Sequence, residues 1–416
     1  MTDEVFSIIE KERQRQLDGL ELIPSENIVS PAVLEAIGSA LTNKYSEGYP
    51  GKRYYGGNIF IDEIETLAVE RTKKLFGTTH ANVQPYSGSP ANQAVCFALL
   101  EPGEKLMGMS LAYGGHLTHG HSVNFSAKYY VSVQYTTNKD GWLDYDAIED
   151  TAKKERPRLI FCGATAYSRI FDFKRLGEIA SSVDAFLVAD IAHIAGLIAG
   201  GMHPSPVGIA DVITTTTHKT LRGPRGAIIM CNGNPSDPLH KPEKTKQNLP
   251  SLIDRAVFPG LQGGPHNHTT AGIAVAMKEA LEPKFSEYAR QIVKNSKTLA
   301  DSLMENGFNL VTGGTDNHLM VIDLRNCGVT GKVAEELLDI AGITVNKNMI
   351  PFDPRKPFDP SGIRLGTPLL TTRGMKETDM RAVADMITAV LMKQKHPEKV
   401  RHSVRELCNG FPSFAW

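Results

Sequence analysis

Short apolar runs alternate with amphipathic helical patterns through the middle of the chain, and this alternation limits the possible folds more than any other feature. The runs at Pro157–Gly163, Asp184–Asp190, Asp211–Thr217 and Ala227–Met230 have the length and composition of buried strands. Strands that alternate with helices form βαβ units around a mostly parallel sheet. The pattern therefore predicts an α/β protein whose functional residues gather at the carboxyl ends of strands.

A change of pattern in the last third of the chain predicts a second domain. A long helical stretch is followed by a strand around Phe308–Thr312 and by an amphipathic helix at Met375–Met392, which we expect to close the domain. The chain is also longer than one compact core usually allows. We therefore expect a larger N-terminal domain at 1–275 and a smaller α+β domain at 276–416. The segment 231–250, rich in Pro, Asn and Lys, predicts an exposed excursion without an assigned role.

Composition excludes several classes of protein. Lys and Arg total 45 against 46 Asp and Glu, so no excess of positive charge indicates nucleic acid or anionic lipid as a partner. The five cysteines are scattered without a C-x-x-C motif, which argues against a disulfide framework or a thiolate zinc site. Neither a targeting segment nor a membrane-spanning apolar run is evident. We therefore expect a soluble cytoplasmic protein without a membrane partner.

Two polar residues at predicted strand ends suggest chemistry on an aldehyde. Lys219 follows the Thr-rich strand of DVITTTTHK, where a desolvated amine with a lowered pKa could form a Schiff base. The alternative is an ordinary surface lysine. Asp190 ends the preceding strand in LVADIAHIAG, although it could simply cap the next helix. Together they could face one flat cofactor, with the carboxylate on a pyridinium nitrogen.

The segment QPYSGSPANQAV predicts an anion site at the start of a helix. Ser87 and Gly88 precede Ser89, which suits the N-cap, and Pro90, which suits the first helical position. Free backbone N–H groups, hydroxyls and the positive end of the helix dipole would together suit a phosphate. An ordinary capped helix would have the same sequence. Neither the dinucleotide-binding nor the P-loop motif is present.

Two histidine-rich segments, GGHLTHGH and GGPHNH, raise the question of a metal site. They contain His116, His119, His121, His266 and His268. Neither segment has H-E-x-x-H spacing or an evident acidic third ligand, so we expect no metal. The glycines next to His116 suggest that the backbone closely approaches a flat ligand, and His116 would then stack over an aromatic ring.

Two further segments carry charged residues suited to a substrate. The segment Tyr45–Gly57, YSEGYPGKRYYGG, predicts an irregular loop, in which Glu47 is suited to proton transfer in a partly dry cleft or else lies in a solvated turn. In SGIRLGTP, Arg364 is expected in a short strand between turns. There it could bind a carboxylate through two hydrogen bonds or serve as an ordinary structural arginine.

Eight segments, in order along nearly the whole chain, resemble those of the serine hydroxymethyltransferase family of pyridoxal-phosphate enzymes. They are ELIPSEN (Glu21–Asn27), LTNKYSEGYPGKRYYGG (Leu41–Gly57), VQPYSGSPAN (Val83–Asn92), GGHLTHG (Gly114–Gly120), TTTTHKTLRGPRG (Thr214–Gly226), FPGLQGGP (Phe258–Pro265), TVNKN (Thr344–Asn348) and SGIRLGTP (Ser361–Pro368). The resemblance implies the type I fold of pyridoxal-phosphate-dependent transferases, in which a large domain with a mostly parallel, seven-stranded sheet flanked by helices joins a smaller C-terminal α+β domain. It also implies a homodimer, or a tetramer, with shared active sites.

The resemblance implies roles for individual residues in binding the cofactor. Lys219 matches the lysine that forms a Schiff base with pyridoxal 5'-phosphate, Asp190 the partner of the pyridine nitrogen, and His116 the imidazole stacked on the ring. The other matches to cofactor-binding positions are Ser87, Gly88, Ser89, Thr165, His193, Thr216, His218, Tyr55 and Gly263. Tyr55 and Gly263 match residues that reach the site from a neighbouring subunit. Thr165 replaces the commoner Ser and adds a methyl group.

The resemblance also implies the substrate sites. Arg364 matches the arginine that binds the amino-acid carboxylate, and Glu47 the acid or base near the substrate hydroxyl. Ser25, Tyr45 and His193 match the rest of the amino-acid site. The residues that match positions binding the co-substrate tetrahydrofolate are Glu47, Leu111, Gly115, His116, Leu117, Asn348, Lys356, Pro357 and Phe358. The implied catalytic set is Lys219, Glu47, Asp190, His116 and Tyr55.

The implied activity is the reversible transfer of the serine hydroxymethyl group to tetrahydrofolate, which gives glycine and 5,10-methylenetetrahydrofolate in one-carbon metabolism. Folate-independent cleavage of other 3-hydroxy amino acids is the expected side activity. A threonine-aldolase-like enzyme would need the same lysine and carboxylate, but the folate-matching segments favour the transferase. A catalytically silent binding protein, for example one that binds RNA, is disfavoured by Lys219, Asp190 and Glu47 and by the near-neutral charge.

Overall fold

The computed structural model describes residues 3–232 and 248–416, which form a mixed α/β structure. The strands are β1 (Leu20–Glu21), β2 (Gly48–Tyr49), β3 (Lys52–Arg53), β4 (His80–Asn82), β5 (Lys105–Met109), β6 (Val131–Tyr135), β7 (Leu159–Cys162), β8 (Phe186–Asp190), β9 (Val212–Thr216), β10 (Ala227–Cys231), β11 (Asn309–Leu310), β12 (Leu319–Asp323), β13 (Ile343–Thr344), β14 (Asn346–Asn348) and β15 (Gly362–Gly366). The α-helices are α1 (Glu4–Asp18), α2 (Pro31–Ile37), α3 (Ile59–Phe76), α4 (Gly88–Leu99), α5 (Phe125–Lys128), α6 (Tyr145–Glu155), α7 (Phe173–Ser182), α8 (Ala195–Ala199), α9 (Leu249–Arg255), α10 (Asn267–Ala280), α11 (Pro283–Glu305), α12 (Gly331–Ile340), α13 (Pro368–Thr372), α14 (Glu377–Leu391) and α15 (Pro397–Cys408). Most of the predicted excursion at 231–250 lies outside the described residues.

A seven-stranded sheet with the order β4-β10-β9-β8-β7-β5-β6 forms the centre of the molecule. The neighbours from β9 to β6 are parallel, whereas β10 is antiparallel to β9 and β4. Along β7, Leu159 and Phe161 face one apolar cluster while Ile160 and Cys162 face another. Because both faces are covered, the strands appear in the sequence as continuous apolar runs. The predicted mostly parallel sheet and its four strands are confirmed, with ends shifted by one or two residues.

A second, antiparallel sheet with the order β11-β12-β15-β14 lies in the C-terminal part of the chain. Its apolar residues share a core with residues from α11, α12, α14 and α15. The short strand β1 pairs in parallel with β13, and Leu20 and Leu22 belong to this same core. The N-terminal segment is therefore anchored on the C-terminal part of the molecule. The division of the chain at 275/276 stays a prediction.

Two predictions for the C-terminal part are wrong in detail. The strand expected at Phe308–Thr312 ends at Leu310, because Thr312 adopts a left-handed conformation with φ of 64° that a strand cannot accommodate. The helix expected at Met375–Met392 is α14, but it does not close the structure. Helix α15 follows it and packs against α14 and α1. The described part of the chain contains no helix with the length and apolar character required to cross a membrane.

The segment Tyr45–Gly57 contains a β-hairpin of β2 and β3, where the sequence predicts an irregular loop. Pro50 and Gly51 make the turn, and Gly51 has a φ of 73°, which a glycine adopts without strain. The guanidinium of Arg53 donates hydrogen bonds to the carbonyl oxygens of Ser46 and Gly48 at 2.9 and 2.7 Å. These contacts fix the backbone on both sides of Glu47.

Candidate active site

Ten residues from five separate segments line a cavity at the carboxyl ends of β8 and β9. They are Gly88, His116, His119, Ala164, Thr165, Asp190, Ala192, His193, Thr216 and Lys219. The structure thus brings together seven of the predicted site residues, whose positions in the sequence span more than a hundred residues. This position agrees with the expectation that parallel sheets carry their functional groups at the carboxyl edge.

Lys219 lies just after β9 and is buried, with 9% of its surface exposed. The pKa of its amine is lowered to about 8, mainly by burial, while Asp190 raises this pKa and the charges of Arg364 and Arg225 lower it. The backbone carbonyl of Lys219 accepts hydrogen bonds from Asn27 Nδ2 at 2.9 Å and from the backbone N–H of Arg222 at 3.1 Å. A firmly held amine with a pKa near neutrality is suited to attack an aldehyde.

The carboxylate of Asp190 ends β8 and is held by three hydrogen bonds. Its Oδ2 accepts from His119 Nε2 at 3.0 Å and from Asn92 Nδ2 at 2.8 Å, and its Oδ1 accepts from the backbone N–H of Ala192 at 3.0 Å. Burial alone would raise the pKa of this carboxyl, but the hydrogen bond and charge of His119 outweigh burial and lower it. Asp190 therefore stays ionised. It is not a helix cap, since the N-cap of α8 is Ile194.

His119 and Asn92 are site residues that the sequence analysis did not identify as partners of Asp190. Asn92 is itself fixed by Thr214, whose Oγ1 donates to Asn92 Oδ1 at 2.7 Å. The histidine spacing in GGHLTHG carried the signal for His119, which was considered only as a metal ligand. For Asn92 the sequence offers no comparable signal.

His116 is largely buried, and its ring is held in one tautomer. Its Nδ1 accepts from the backbone N–H of Thr118 at 3.2 Å and bonds to Thr118 Oγ1 at 2.7 Å. Burial lowers the pKa of His116 to about 4, with a further contribution from His119, so the ring is neutral at physiological pH. A neutral imidazole with a fixed orientation is suited to stack on a flat ring.

The glycines beside His116 allow protein backbone segments to pack closely together. A Cβ on Gly115 would lie 1.9 Å from the carbonyl oxygen of Met109, and one on Gly114 would lie 3.0 Å from that of Ala166. These glycines therefore permit close approach between backbone segments of the protein itself, and their approach to a flat ligand stays a prediction.

The structure supplies the acidic neighbour that the sequence did not reveal near the histidines. Ligand atoms of His116, His119 and Asp190 all lie within 4.8 Å of one another. Asp190, which lies far from GGHLTHGH in the sequence, is thus the acidic group beside these histidines, and the expectation of no metal stays a prediction. In the second histidine segment, His266 stacks on Tyr86 with ring centroids 4.1 Å apart.

A helix, α4, begins where the sequence predicts one, but its cap is misplaced in the prediction. Ser87 is the N-cap and Gly88 the first helical residue, so Ser89 and Pro90 already lie inside the first turn. A side chain at Gly88 would not fit, because its Cβ would approach Thr216 Cγ2 to 2.8 Å. The start of α4 therefore packs closely against the end of β9. Proline is tolerated there because first-turn N–H groups have no partner within the helix.

The residues around this helix start fit the phosphate and ring of pyridoxal phosphate. Thr216 Oγ1 and His218 Nδ1 are buried, and neither has a hydrogen-bond partner among the described residues. Buried polar atoms without partners are costly unless a ligand satisfies them. Together with the free N–H groups of α4 they provide donors for an anion, and Asp190 provides the acceptor for a protonated ring nitrogen.

Arg364 lies in the middle of β15, as predicted, beside the cavity. Its Nη1 donates to the carbonyl oxygen of Thr165 at 2.6 Å and its Nε to Asn346 Oδ1 at 2.9 Å. Burial lowers its pKa to about 10, with Glu26 opposing, so the guanidinium remains charged. No carboxylate of the described residues forms an ion pair with Arg364. A buried cation whose protein partners are all neutral is suited to bind an anionic substrate group.

His193 lines the Lys219 cavity, and Ser25 belongs to a segment that contacts β15 and the Lys219 backbone. Ser25 is half-buried, between Pro24, which packs against Gly366 of β15, and Asn27, which is bonded to the Lys219 carbonyl. The Nδ1 of His193 lies 3.3 Å from His318 Nε2. Burial, Lys219 and Arg364 hold the pKa of His193 well below its ordinary value, so it is neutral.

Apart from Glu47, the predicted folate positions fall on the segment 111–117 and on the chain from Asn348 to Phe358. The rings of Tyr113 and Phe352 are in edge-to-face contact at 5.4 Å, which joins the segment 111–117 to the segment after β14. Within these segments Leu111 and Leu117 are exposed, Gly115 is buried and Asn348 is half-buried. Lys356, Pro357 and Phe358 are exposed in a loop beyond them, and 86% of Phe358 is exposed.

A second cluster contains Tyr45, Glu47, Tyr55 and Gly263, and we call it the hairpin cluster. None of its residues lines the Lys219 cavity of the same chain. The rings of Tyr45 and Tyr55 are 5.3 Å apart, and both side chains are at least half exposed. Gly263 approaches Glu47 so closely that a Cβ would lie 3.2 Å from Oε1.

Comparisons with known proteins agree with this arrangement. The family model described as serine hydroxymethyltransferase matches residues 1–387. A serine hydroxymethyltransferase of Acidothermus cellulolyticus is 56% identical over an alignment that covers 98% of this chain and 95% of the relative. One from Desulfotalea psychrophila is 54% identical, with 99% and 94% covered. The chain belongs to the serine hydroxymethyltransferase family.

Proposed function

We propose that the chain catalyses the reversible transfer of the serine hydroxymethyl group to tetrahydrofolate, which yields glycine and 5,10-methylenetetrahydrofolate. One observation carries the proposal: Lys219, Asp190 and His116 line a single cavity in a member of this family. Lys219 would hold the aldehyde carbon of pyridoxal phosphate, Asp190 its ring nitrogen and His116 one face of its ring. When bound, this cofactor supplies an electron sink for breaking the Cα–Cβ bond of serine.

The phosphate would be held at the start of α4. Ser87, Gly88 and Ser89 offer backbone N–H groups and hydroxyls, and Thr216 and His218 offer the buried polar atoms without protein partners. The role of Asp190 follows from its lowered pKa, because an ionised carboxylate keeps a proton on the nitrogen that faces it. Thr165, whose Oγ1 donates to the Gly115 carbonyl oxygen at 2.9 Å, and His193 complete the walls.

The amino-acid substrate would be oriented by Arg364. Thr165 and Asn346 already engage Nη1 and Nε, so the guanidinium is fixed before substrate binds. A carboxylate bound in this fixed position would place the Cα substituents of serine in a defined direction relative to the cavity. Ser25 and Tyr45 would contact the same substrate.

Glu47 would handle the proton of the serine hydroxyl or of the departing carbonyl, with Tyr55 beside it. Because the hairpin cluster lies outside the Lys219 cavity of its own chain and carries exposed tyrosines, a homodimer in which each chain completes the partner's site is part of the proposal. A tetramer of two such dimers is the larger assembly that we consider. The folate co-substrate would lie against the segment 111–117, Asn348 and the loop 356–358.

The proposal includes a cytoplasmic location, because all five cysteines are free and four of them are buried. Folate-independent cleavage of other 3-hydroxy amino acids is included as a side activity, because such cleavage needs the same lysine, carboxylate and arginine. We do not propose RNA or membrane partners.

The decisive experiment is a visible absorption spectrum of the protein loaded with pyridoxal phosphate. A Schiff-base band should be present at rest and should give way to a strong band at longer wavelength only when glycine and tetrahydrofolate are both added. A spectrum indifferent to tetrahydrofolate would favour the aldolase. The absence of any Schiff-base band would favour a protein without this chemistry.

A further inference from the structure

Two hydrogen bonds to the backbone carbonyl oxygen of Lys219 hold the turn that carries this residue. One comes from Asn27 Nδ2 at 2.9 Å and the other from the backbone N–H of Arg222 at 3.1 Å. Arg222 has a φ of 56°, a left-handed conformation that a residue with a Cβ adopts only when its surroundings impose it. The position of the Lys219 backbone therefore depends on what holds Asn27 and Arg222.

The side chain of Arg222 is enclosed by aromatic rings instead of carboxylates. Only 5% of the residue is exposed, and its guanidinium carbon lies 3.9 Å from the ring centroid of Tyr288, 5.2 Å from Phe414 and 5.5 Å from Phe285. Its Nε and Nη1 have no hydrogen-bond partner among the described residues, and no described carboxylate pairs with it. Interactions with the ring faces are therefore its main electrostatic compensation for burial.

We call the three rings of Phe285, Tyr288 and Phe414 the Arg222 box. Tyr288 connects this box to Asn27, the other residue that holds the Lys219 carbonyl. Its hydroxyl accepts a hydrogen bond from Asn27 Nδ2 at 2.7 Å and lies 3.1 Å from Thr372 Oγ1. Thr372 Oγ1 in turn lies 2.7 Å from Asn27 Oδ1. The side chain of Asn27 is thus held at both ends by the network that also contains one wall of the Arg222 box.

Residues Phe414–Trp416 pack against this network through two aromatic rings. Phe414 is one ring of the box, and the ring of Trp416 contacts that of Tyr288 in an edge-to-face arrangement at 5.7 Å. Two hydrogen bonds fix the tripeptide on α13. Trp416 Nε1 donates to the carbonyl oxygen of Thr371 at 2.8 Å, and the backbone N–H of Ala415 donates to the carbonyl oxygen of Thr372 at 3.0 Å.

We propose that the C-terminal tripeptide Phe414–Trp416 and Arg222 are positioning residues for Lys219. The tripeptide holds the aromatic box closed, the box holds the buried guanidinium, and the left-handed turn at Arg222 then presents its N–H to the Lys219 carbonyl. None of these residues lines the cavity, so they act on the amine through the backbone. This inference rests on the proposed role of Lys219 as the amine that binds the aldehyde.

The test compares Phe414→Leu, which keeps apolar volume but removes the ring face, and Trp416→Ala with the wild-type chain. In the chain without pyridoxal phosphate, hydrogen exchange of peptides spanning residues 217–224 should accelerate roughly tenfold. The reason is that each variant weakens the cation–π contacts that hold the Arg222 guanidinium, so that the turn opens more often. The rate of Schiff-base formation after adding pyridoxal phosphate should fall by a similar factor. Phe414→Tyr restores a ring and should restore both readouts.

Val404→Ala is the matched control, because it removes buried volume from α15 and lowers stability without touching the Arg222 box. It should leave exchange at 217–224 and the rate of Schiff-base formation unchanged. Wild-type exchange in both tail variants, or an equal acceleration in Val404→Ala, would overturn the inference. A wild-type chain that forms no Schiff base dependent on Lys219 would instead overturn the proposed function. The exchange measurement needs no cofactor, so it distinguishes a failure of the inference from a failure of the proposed function.

Discussion

The Lys219 cavity and the hairpin cluster are built in opposite ways. Asp190 and Lys219 of the cavity lie at or just after the ends of buried parallel strands, and hydrogen bonds from His119 and Asn92 of the same chain fix the Asp190 carboxylate. In the hairpin cluster the backbone is firmly held by Arg53, but Tyr45 and Tyr55 extend into solvent. The comparison shows that hydrogen bonds within one chain fix the Asp190 carboxylate, whereas the tyrosines of the hairpin cluster remain exposed, as the proposed homodimer requires.

The largest effect on activity should come from removing the Lys219 amine from the cavity. Lys219→Ala removes the nucleophilic amine, so multiple turnover and the Schiff-base absorption band should both be lost. A rapid-quench assay with labelled serine together with a spectrum measures both. Lys347→Ala, which removes an amine paired with Glu335 outside the cavity, is the control and should retain them. A Lys219→Ala protein that keeps the band would assign the Schiff base to another lysine.

In the hairpin cluster, Glu47→Gln should lower folate-dependent cleavage of serine by roughly 10²- to 10⁴-fold, the range for loss of one proton-transfer group. Binding of glycine should remain, because Arg364 and Lys219 are untouched. Steady-state kinetics and a glycine titration separate the two quantities. Equal losses in both would mean that Glu47 has a structural role.

Mixing two inactive variants tests directly whether the two regions complete each other across subunits. Chains with Lys219→Ala and chains with Glu47→Gln, unfolded and refolded together, would form mixed dimers in which one site contains both wild-type residues. Activity should return to roughly a quarter of the wild-type level, since half of the dimers are mixed and each has one intact site. Each variant refolded alone is the control. No recovery from the mixture would place Glu47 and Lys219 of the same chain in one site.

The sequence predicts the two regions unequally, for a physical reason. Lys219 and Asp190 could be located because continuous apolar runs define strand ends from local information. The hairpin could not be predicted, because its shape depends on a buried contact between Arg53 and Glu65 at 2.6 Å, joined by Gln84, and these partners come from α3 and the segment after β4. The close packing between Gly88 of α4 and Thr216 of β9 is likewise a contact between distant segments that the sequence does not show.

Arg364→Ala should weaken serine binding roughly ten- to hundredfold, the loss typical of one charge-assisted hydrogen-bonded pair. The measurement is a titration of the loaded protein with serine and with glycine, because both share the carboxylate. Arg325→Ala, on the exposed surface after β12, is the matched control and should not change either affinity. Unchanged affinity in the Arg364 variant would leave that residue with a structural role alone.

Removing Arg53 should destabilise the hairpin region more than removing an exposed charge. Arg53 and Glu65 are each only 4% exposed at the side chain, and Arg53→Met would leave Glu65 buried without its partner. Such a loss costs about 3–5 kcal/mol. Denaturant unfolding measures it, and Arg53→Met combined with Glu65→Leu should recover part of the loss. A double variant as unstable as the single one would show that the carbonyl contacts of Arg53, rather than the ion pair, hold the hairpin.

The smallest expected effect is a shift in the pH dependence of Lys219. The pKa of its amine is lowered to about 8, mainly by burial, with Asp190 raising it and Arg364 lowering it. Only the unprotonated amine attacks an aldehyde, so Schiff-base formation by the unloaded chain should rise about tenfold per pH unit below pH 8 and level off above it. Arg364→Met removes a positive charge and should move the midpoint to higher pH, whereas Asp190→Asn should move it to lower pH. Glu149→Gln, on the surface of α6, is the control. If the midpoint stays fixed in both cavity variants, desolvation alone sets the pKa, and the charges of the cavity serve to bind ligands and do not tune the amine.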